Sequence, residues 1–259
     1  EGSLQHVSLE LLCKGRQMAD ELGWTLAGVL LGNLVDALAD QAFAHGADRV
    51  WLCDHPLLEQ FTVDAYSHAV FQALMQGKPS VFLAGATHNG RDLAARLAVR
   101  LRTGLNADCT DLRITPPEGL MISEVSGFGG GVLALIGMRH HRPQMATVRP
   151  GVFQVAQETF RKSGEIIRIP VELLENQIRT RILERKTGGS VDLTRTPVLV
   201  AGGRGVGADF SELEKLAELL NGEVGATRPL VDMGYIERER QIGQTGAACS
   251  PKLAICCGI

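Results

Sequence analysis

The stretch Pro197-Val-Leu-Val-Ala-Gly-Gly-Arg-Gly-Val-Gly-Ala-Asp209 decides how the C-terminal part of this chain is read. Residues 197–201 form a continuous apolar run, which predicts a buried strand. A glycine-rich loop, 202–208, follows. Asp209, with Glu212 three residues on, has the spacing of a capping box that opens a helix. Leu213, Leu216, Ala217 and Leu220 then share one helical face. Strand, glycine loop and helix in that order outline a nucleotide-binding α/β unit.

Upstream, the same alternation repeats. Helices are predicted over 8–22, 35–45, 64–75 and 91–102, and Gly23, Gly46 and Gly77 are placed to stop the first three. Strands are predicted over 24–31, 49–53 and 80–84. Strands alternating with such helices indicate βαβ units and a parallel sheet. After residue 108 the pattern changes to strands alone, over 108–113, 120–124, 132–136 and 145–148. These read as an antiparallel edge closing a doubly wound domain. Weaker strand patterns cover 166–171 and 179–184. Arg185-Lys-Thr-Gly-Gly-Ser190 reads as a linker. The expected organisation is therefore an α/β domain over 1–190, linker included, and a second α/β domain over 191–259. The apolar run 253–257 is expected as a central strand of the second sheet.

Composition narrows the function. The chain has 259 residues, 45% of them hydrophobic, and a net charge of −3. No basic run marks a nucleic-acid surface. The longest apolar runs, such as 29–31 and 132–136, are far too short to span a bilayer. No signal-peptide pattern opens the sequence. Cys13, Cys53, Cys109, Cys249, Cys256 and Cys257 form no CxxC pair and read as small buried hydrophobes of a reducing, cytoplasmic compartment. The histidines form no ligand cluster. His140 and His141, beside Arg142, read as a surface turn. Thr87-His-Asn-Gly-Arg-Asp92 opens a helix, and its polar N-terminus serves equally as a cap or an anion site.

Three polar, glycine-rich loops lie within about fifty residues, the kind of loop a chain builds where its backbone approaches a polar ligand. The first, Gly203-Arg-Gly-Val-Gly-Ala208, formally fits the G-x-G-x-x-A dinucleotide fingerprint, with Glu223 at a suitable distance. A tight strand-to-helix turn needs the same glycines, so the fingerprint alone does not choose. Arg204 adds a guanidinium suited to phosphate beside backbone N–H groups expected to be free. The second loop, Gly225-Ala-Thr-Arg-Pro-Leu-Val-Asp-Met-Gly234, sets Arg228 between a hydroxyl and a stiffening proline. The third, Gln241-Ile-Gly-Gln-Thr-Gly246, offers Gln244 and Thr245 as neutral donors and acceptors flanked by glycine. An isoalloxazine ring, with acceptors along its edge, is matched by such residues. Residues 191–259 contain no histidine, which argues against histidine-based acid–base chemistry there.

The second and third loops together resemble the signature of the electron transfer flavoprotein alpha subunit. Gly90-Arg-Asp-Leu-Ala-Ala-Arg-Leu-Ala98, Thr103-Gly-Leu-Asn-Ala-Asp-Cys-Thr110 and Arg142-Pro-Gln-Met-Ala-Thr-Val-Arg-Pro-Gly151 are similar to that family's N-terminal domain. The resemblance implies a heterodimer whose alpha subunit carries FAD in a C-terminal domain resembling deoxyhypusine synthase. Its beta subunit would hold AMP or, in bifurcating members, a second FAD. Electrons would come from acyl-CoA or other dehydrogenases, as in fatty acid oxidation, or from NADH, and pass to a quinone reductase. Carried over by position, Arg204 and Gly205 lie along the FAD pyrophosphate, Thr227 near the phosphates and Arg228 near the ring. Gln241, Ile242, Gly243, Gln244, Thr245 and Gly246 line the flavin, with Thr245 at N5. Ala247 departs from the family's commoner lysine. The family's sequence continues past Ile259 with a Ser-Gly-Ala-Ile-Gln-His segment and precedes Glu1 with a strand. On this resemblance the chain is expected to be incomplete at both ends, and FAD binding by a polypeptide ending at Ile259 is expected to be weak. The competing readings are a pyridine-nucleotide dehydrogenase built on Gly203–Ala208, and a nucleotide-binding scaffold without flavin.

Overall fold

A computed structural model describes residues 4–127, 131–156, 163–184, 191, 193–194, 196–243, 245–247 and 249–259. Residues 185–190, expected as the linker, and Gln244 lie outside the described residues. The chain forms two compact units, Glu1–Arg181 and Ile182–Ile259.

In the first unit, helix α1 (His6–Leu22) ends where Gly23 adopts φ 65°, a left-handed conformation that glycine takes without strain. Strand β1 (Ala27–Gly32) pairs in parallel with β2 (Arg49–Asp54), which pairs in parallel with β9 (Glu165–Arg168). Helix α2 (Ala39–Ala44) lies between β1 and β2 in sequence, after a short 3-10 turn at Asp36–Leu38. Helix α3 (Val63–Gly77) is capped by Thr62, whose hydroxyl accepts from the Ala65 N–H at 3.4 Å. A second parallel sheet orders β3 (Val81–Gly85), β8 (Gln144–Val148) and β4 (Leu105–Cys109), with helix α4 (His88–Leu101) between β3 and β4 in sequence.

Both parallel sheets carry helices on two faces. Met18 of α1 joins Cys109, Ala146 and Val148, whereas Val70, Leu74, Ala94 and Leu97 of α3 and α4 join Met145 on the other face. Phe43 of α2 packs with Leu30, Val50 and Leu52, and Ala65, Ala69 and Ala73 of α3 pack with Cys53. Val29 and Leu31 reach the same core as Phe82 and Ala84. This is the doubly wound arrangement.

The antiparallel part differs from the expectation in two ways. The segment expected as one strand over 108–113 is two strands. β4 carries a register irregularity between Asn106 and Cys109, with Asp108 at φ 58°, and β5 (Asp111–Thr115) starts afresh. β5, β6 (Leu120–Gly127) and β7 (Val132–Gly137) form their own antiparallel sheet. The run at 144–148 is not antiparallel. It is the middle strand of a parallel sheet, and all five of its residues are buried, which is why its pattern is continuously apolar or neutral. No strand forms at 179–184. There the Arg179 N–H donates to Asp64 instead of to a ladder, and Leu183 is 88% exposed.

The second unit has a parallel sheet in the order β11 (Glu223–Ala226), β10 (Val198–Gly202), β12 (Leu253–Cys257). β12, expected at the centre, lies at an edge of these described strands, and β10 holds the centre. Val200 of β10, Leu213 and Ala217 of helix α5 (Ser211–Leu219) and Phe210 just before that helix build one side of its core with Leu230. Leu199 and Ala201 build the other with Leu193.

Candidate functional site at the carboxyl ends of the second sheet

Because β10, β11 and β12 are parallel, all three end on the same side of their sheet, where open α/β sheets bind ligands. Each expected loop leaves from that side. β10 runs into Gly203–Gly207, and β11 runs through Thr227 into the short helix α6 (Arg228–Asp232). The loop at 241–247 docks on the end of β11, where the Ile242 N–H donates to the Ala226 carbonyl at 2.9 Å. Arg228 and Thr245 are thus carried by two segments tied together at a single residue, Ala226.

The third loop closes on itself. The Ala247 N–H donates to the Gln241 carbonyl at 2.7 Å, the Gly243 N–H to the Ala247 carbonyl at 3.1 Å, and the Gly246 N–H to the Gly243 carbonyl at 3.0 Å. Gly243 adopts φ 104°, and a side chain at Gly246 would strike the Gln241 carbonyl. Ile242 and Ala247 turn inward onto Leu199, Ala201 and Leu193, so the loop is seated on the core of the sheet. Gln241 is also inward, 7% exposed, and its Nε2–H donates to the Thr245 hydroxyl oxygen at 2.8 Å. Thr245 itself is exposed.

Thr227 caps α6 with extended backbone but its side chain accepts no cap hydrogen bond, and its hydroxyl has no hydrogen-bond partner among the described residues. The Thr227 N–H donates to the Gly202 carbonyl at 2.9 Å, joining the ends of β10 and β11. The Arg228 Nε–H donates to Asp232 at 3.1 Å, and both side chains stand mostly in solvent. The terminal nitrogens of Arg228 have no partner among the described residues. The Arg-x-x-x-Asp spacing of this i,i+4 pair was visible in the sequence and could have been read.

The glycine loop after β10 corrects the dinucleotide reading. Most of its N–H groups are engaged. Gly203 donates to the Cys257 carbonyl at 2.8 Å, Gly205 to the Gly258 carbonyl at 2.9 Å, and Val206 to the Gly203 carbonyl at 3.0 Å. A Cβ on Gly203 would collide with the Gly258 carbonyl and the Ile259 backbone, and one on Gly205 would lie 3.0 Å from Gly258 Cα. These glycines make room for the chain leaving β12, a constraint that no local pattern reveals. Glu223 is the first residue of β11, hence at the far end of the sheet, and pairs with Arg240 at 3.3 Å. Asp209 does not complete a capping box. Its carboxylate accepts from the Ser211 N–H at 2.9 Å, which holds its pKa below the ordinary value, while Glu212 pairs with Lys215. Arg204 remains exposed, and its guanidinium has no partner among the described residues.

Other expected features resolve simply. Thr87 caps α4, accepting from the Gly90 N–H at 3.1 Å, and His140 to Arg142 form an exposed bend. Cys13, Cys53 and Cys109 are buried, and burial pushes the Cys53 thiol up to about 11. Cys256 is exposed and Cys249 and Cys257 are intermediate, contrary to the expectation that all six are buried. No group of residues suited to a metal ion occurs among the described residues. No helix among them is long and apolar enough to cross a membrane.

The electron transfer flavoprotein domain matches residues 1–174, and the electron transfer flavoprotein FAD-binding domain matches residues 192–259. The chain belongs to the electron transfer flavoprotein alpha-subunit family. Relatives agree along its whole length. It is 43% identical to Protein FixB of Clostridium saccharobutylicum, over all of this chain and 78% of that protein. It is 42% identical to the electron transfer flavoprotein subunit alpha of Thermoanaerobacterium thermosaccharolyticum, over all of this chain and 79% of that protein. It is 37% identical to the acryloyl-CoA reductase electron transfer subunit beta of Anaerotignum propionicum, over all of this chain and 79% of that protein. As an electron transfer flavoprotein alpha subunit, the chain is an electron carrier that works in a heterodimer with a beta subunit.

Proposed function

We propose that this alpha subunit holds FAD at the carboxyl ends of β10, β11 and β12, with the flavin ring against Arg228 and Thr245. The observation that supports this most is the tie at Ala226, which brings an exposed cation and an exposed hydroxyl onto one rim. The donor set fits the group. Thr245 accepts a hydrogen bond from Gln241 and keeps its own proton to donate, as an unprotonated ring nitrogen requires. Arg228 keeps its terminal nitrogens for the ring edge or a phosphate, and the Thr227 hydroxyl and the Arg204 guanidinium are available for phosphate oxygens. Gly243 has open space beside its backbone, Gly205 and Gly246 keep their loops compact, and Gln241 and Ile242 support the rim from below.

FAD, when bound, supplies the electron-transfer chemistry, and the chain supplies orientation and electrostatics. No general acid, base or nucleophile is needed. The first unit is the docking surface for the beta subunit, which carries AMP or a second FAD. In support, β7 exposes Val132, Leu133 and Leu135 at 52%, 59% and 60% on an edge strand. The functional boundary falls near residue 190, the second domain is of the deoxyhypusine synthase-like type, and the protein works in the cytoplasm. Electrons arrive from an acyl-CoA or other dehydrogenase, or from NADH, and leave to a quinone reductase. The test is the absorbance spectrum of the full-length heterodimer with flavins counted per dimer. Flavin bands with FAD retained by the alpha subunit support the reading. A colourless dimer, or flavin held by the beta subunit alone, overturns it.

A further inference from the structure

We propose that Gln241 is a positioning residue that aims the Thr245 hydroxyl proton out of the loop and toward the flavin. This rests on the reading of Thr245 as a ring contact.

The two residues are unequally placed. Gln241 is buried and its backbone is fixed on both sides. Its N–H donates to the Arg238 carbonyl at 3.0 Å, and its carbonyl accepts from Ala247 at 2.7 Å. Thr245 is exposed at the tip of the same loop. The bond between them runs from the amide Nε2–H to the hydroxyl oxygen at 2.8 Å. A threonine hydroxyl has one proton and two acceptor sites. With one acceptor site filled from beneath by an amide N–H, its proton cannot point back at that amide and is left to point outward. A donor from below also polarises the O–H and strengthens the bond it makes outside. Glutamine is the side chain that can do this. Leucine of similar bulk offers no donor, and glutamate offers only acceptors, so it would draw the Thr245 proton inward.

The test is a double-variant cycle on the flavin-loaded heterodimer, read as the midpoint potential of the bound flavin and the dissociation constant for FAD. Thr245→Val is expected to lower the potential. Gln241→Leu is expected to reproduce most of that shift while leaving FAD bound, and to add almost nothing when combined with Thr245→Val. Gln241→Glu keeps the size of the side chain. It is expected to lower the potential more in the presence of Thr245 than in the Thr245→Val background, where only its charge remains. Equal shifts of either Gln241 variant in both backgrounds overturn the positioning role. So does loss of FAD in both Gln241 variants when Thr245→Val retains it, because Gln241 is then a binding residue in its own right. No shift in Thr245→Val alone marks a different failure, that of the flavin contact itself.

Discussion

The two units treat the carboxyl ends of their parallel strands in opposite ways. In the first, the polar groups there consume one another. Asp108, at the end of β4, accepts from Arg149 beyond β8 at 2.7 Å and from Arg91 of α4 at 3.1 Å. Its own N–H donates to Thr147 at 3.0 Å. Asp54, at the end of β2, accepts from the Leu34 N–H at 2.8 Å, and Asp36 pairs with Arg168. In the second unit, Arg204, Arg228 and Thr245 stand at the corresponding ends and are not consumed. Among the described residues, the Arg228 side chain has one partner and the Thr245 hydroxyl only a donor beneath it. Topology offers a ligand position in both places, and the pairing of side chains closes one and leaves the other open.

The sharpest way to strain this comparison is at the glycine loop. Gly203→Ala should destabilise the second unit by about 3 kcal/mol, because the added methyl meets backbone that cannot swing aside. Thermal unfolding of the heterodimer measures it, and an unchanged midpoint would mean that the chain after β12 does not press on this loop. Asp108→Asn should cost about 2 kcal/mol by leaving two guanidinium groups without their carboxylate, with flavin content and potential unchanged. Denaturant unfolding beside a flavin assay separates the two effects.

The same carboxylate sets a pH dependence. Burial pushes the Asp108 pKa up, but Arg149 and Arg91 outweigh it and hold the net value below the ordinary one. At Asp64 burial is likewise outweighed, by the Arg179 N–H and by Arg96. A lowered folded-state pKa contributes stability that is complete above the unfolded value, about 3.9, and is lost as pH falls through the folded one. Acid unfolding should therefore steepen below about pH 4, and Asp108→Asn should flatten it. Identical acid profiles for the two proteins would remove Asp108 from the account.

Much of this organisation was legible in the sequence. The alternation up to residue 102 located helices and strands, and Gly23 does turn left-handed at the end of α1, whereas Gly77, expected to stop α3, is its last residue and Lys78 makes the left-handed turn. Residues 225–246 stood out as a candidate site because the hydroxyl and the arginine there have no core to serve. What escaped has a common cause, contact between residues far apart in the chain. β8 reads like any short apolar run, and only its partners β3 and β4 make it the middle of a sheet. The constraint on Gly203 comes from Gly258, and Asp108 meets Arg149 across 41 positions. The burial of Gln241 could not be seen either, since an amide within a polar loop looks the same whether it faces in or out.

The smallest effects on stability should fall at Arg228 and Thr245, on the rim of the second unit. Arg228→Ala removes an exposed ion pair worth about 0.5 kcal/mol or less, so folding should hardly change. Thr245→Val should be similarly mild for folding, and each should alter the flavin instead, Thr245→Val by about 1 kcal/mol for one lost hydrogen bond. The most direct measurement is therefore the midpoint potential of flavin in the full-length heterodimer, compared among wild type, Arg228→Ala and Asp108→Asn. A fixed cation near the ring favours added electrons, so Arg228→Ala is expected to lower the potential while Asp108→Asn leaves it alone. A potential that moves with Asp108 and ignores Arg228 would place the flavin elsewhere and contradict the account.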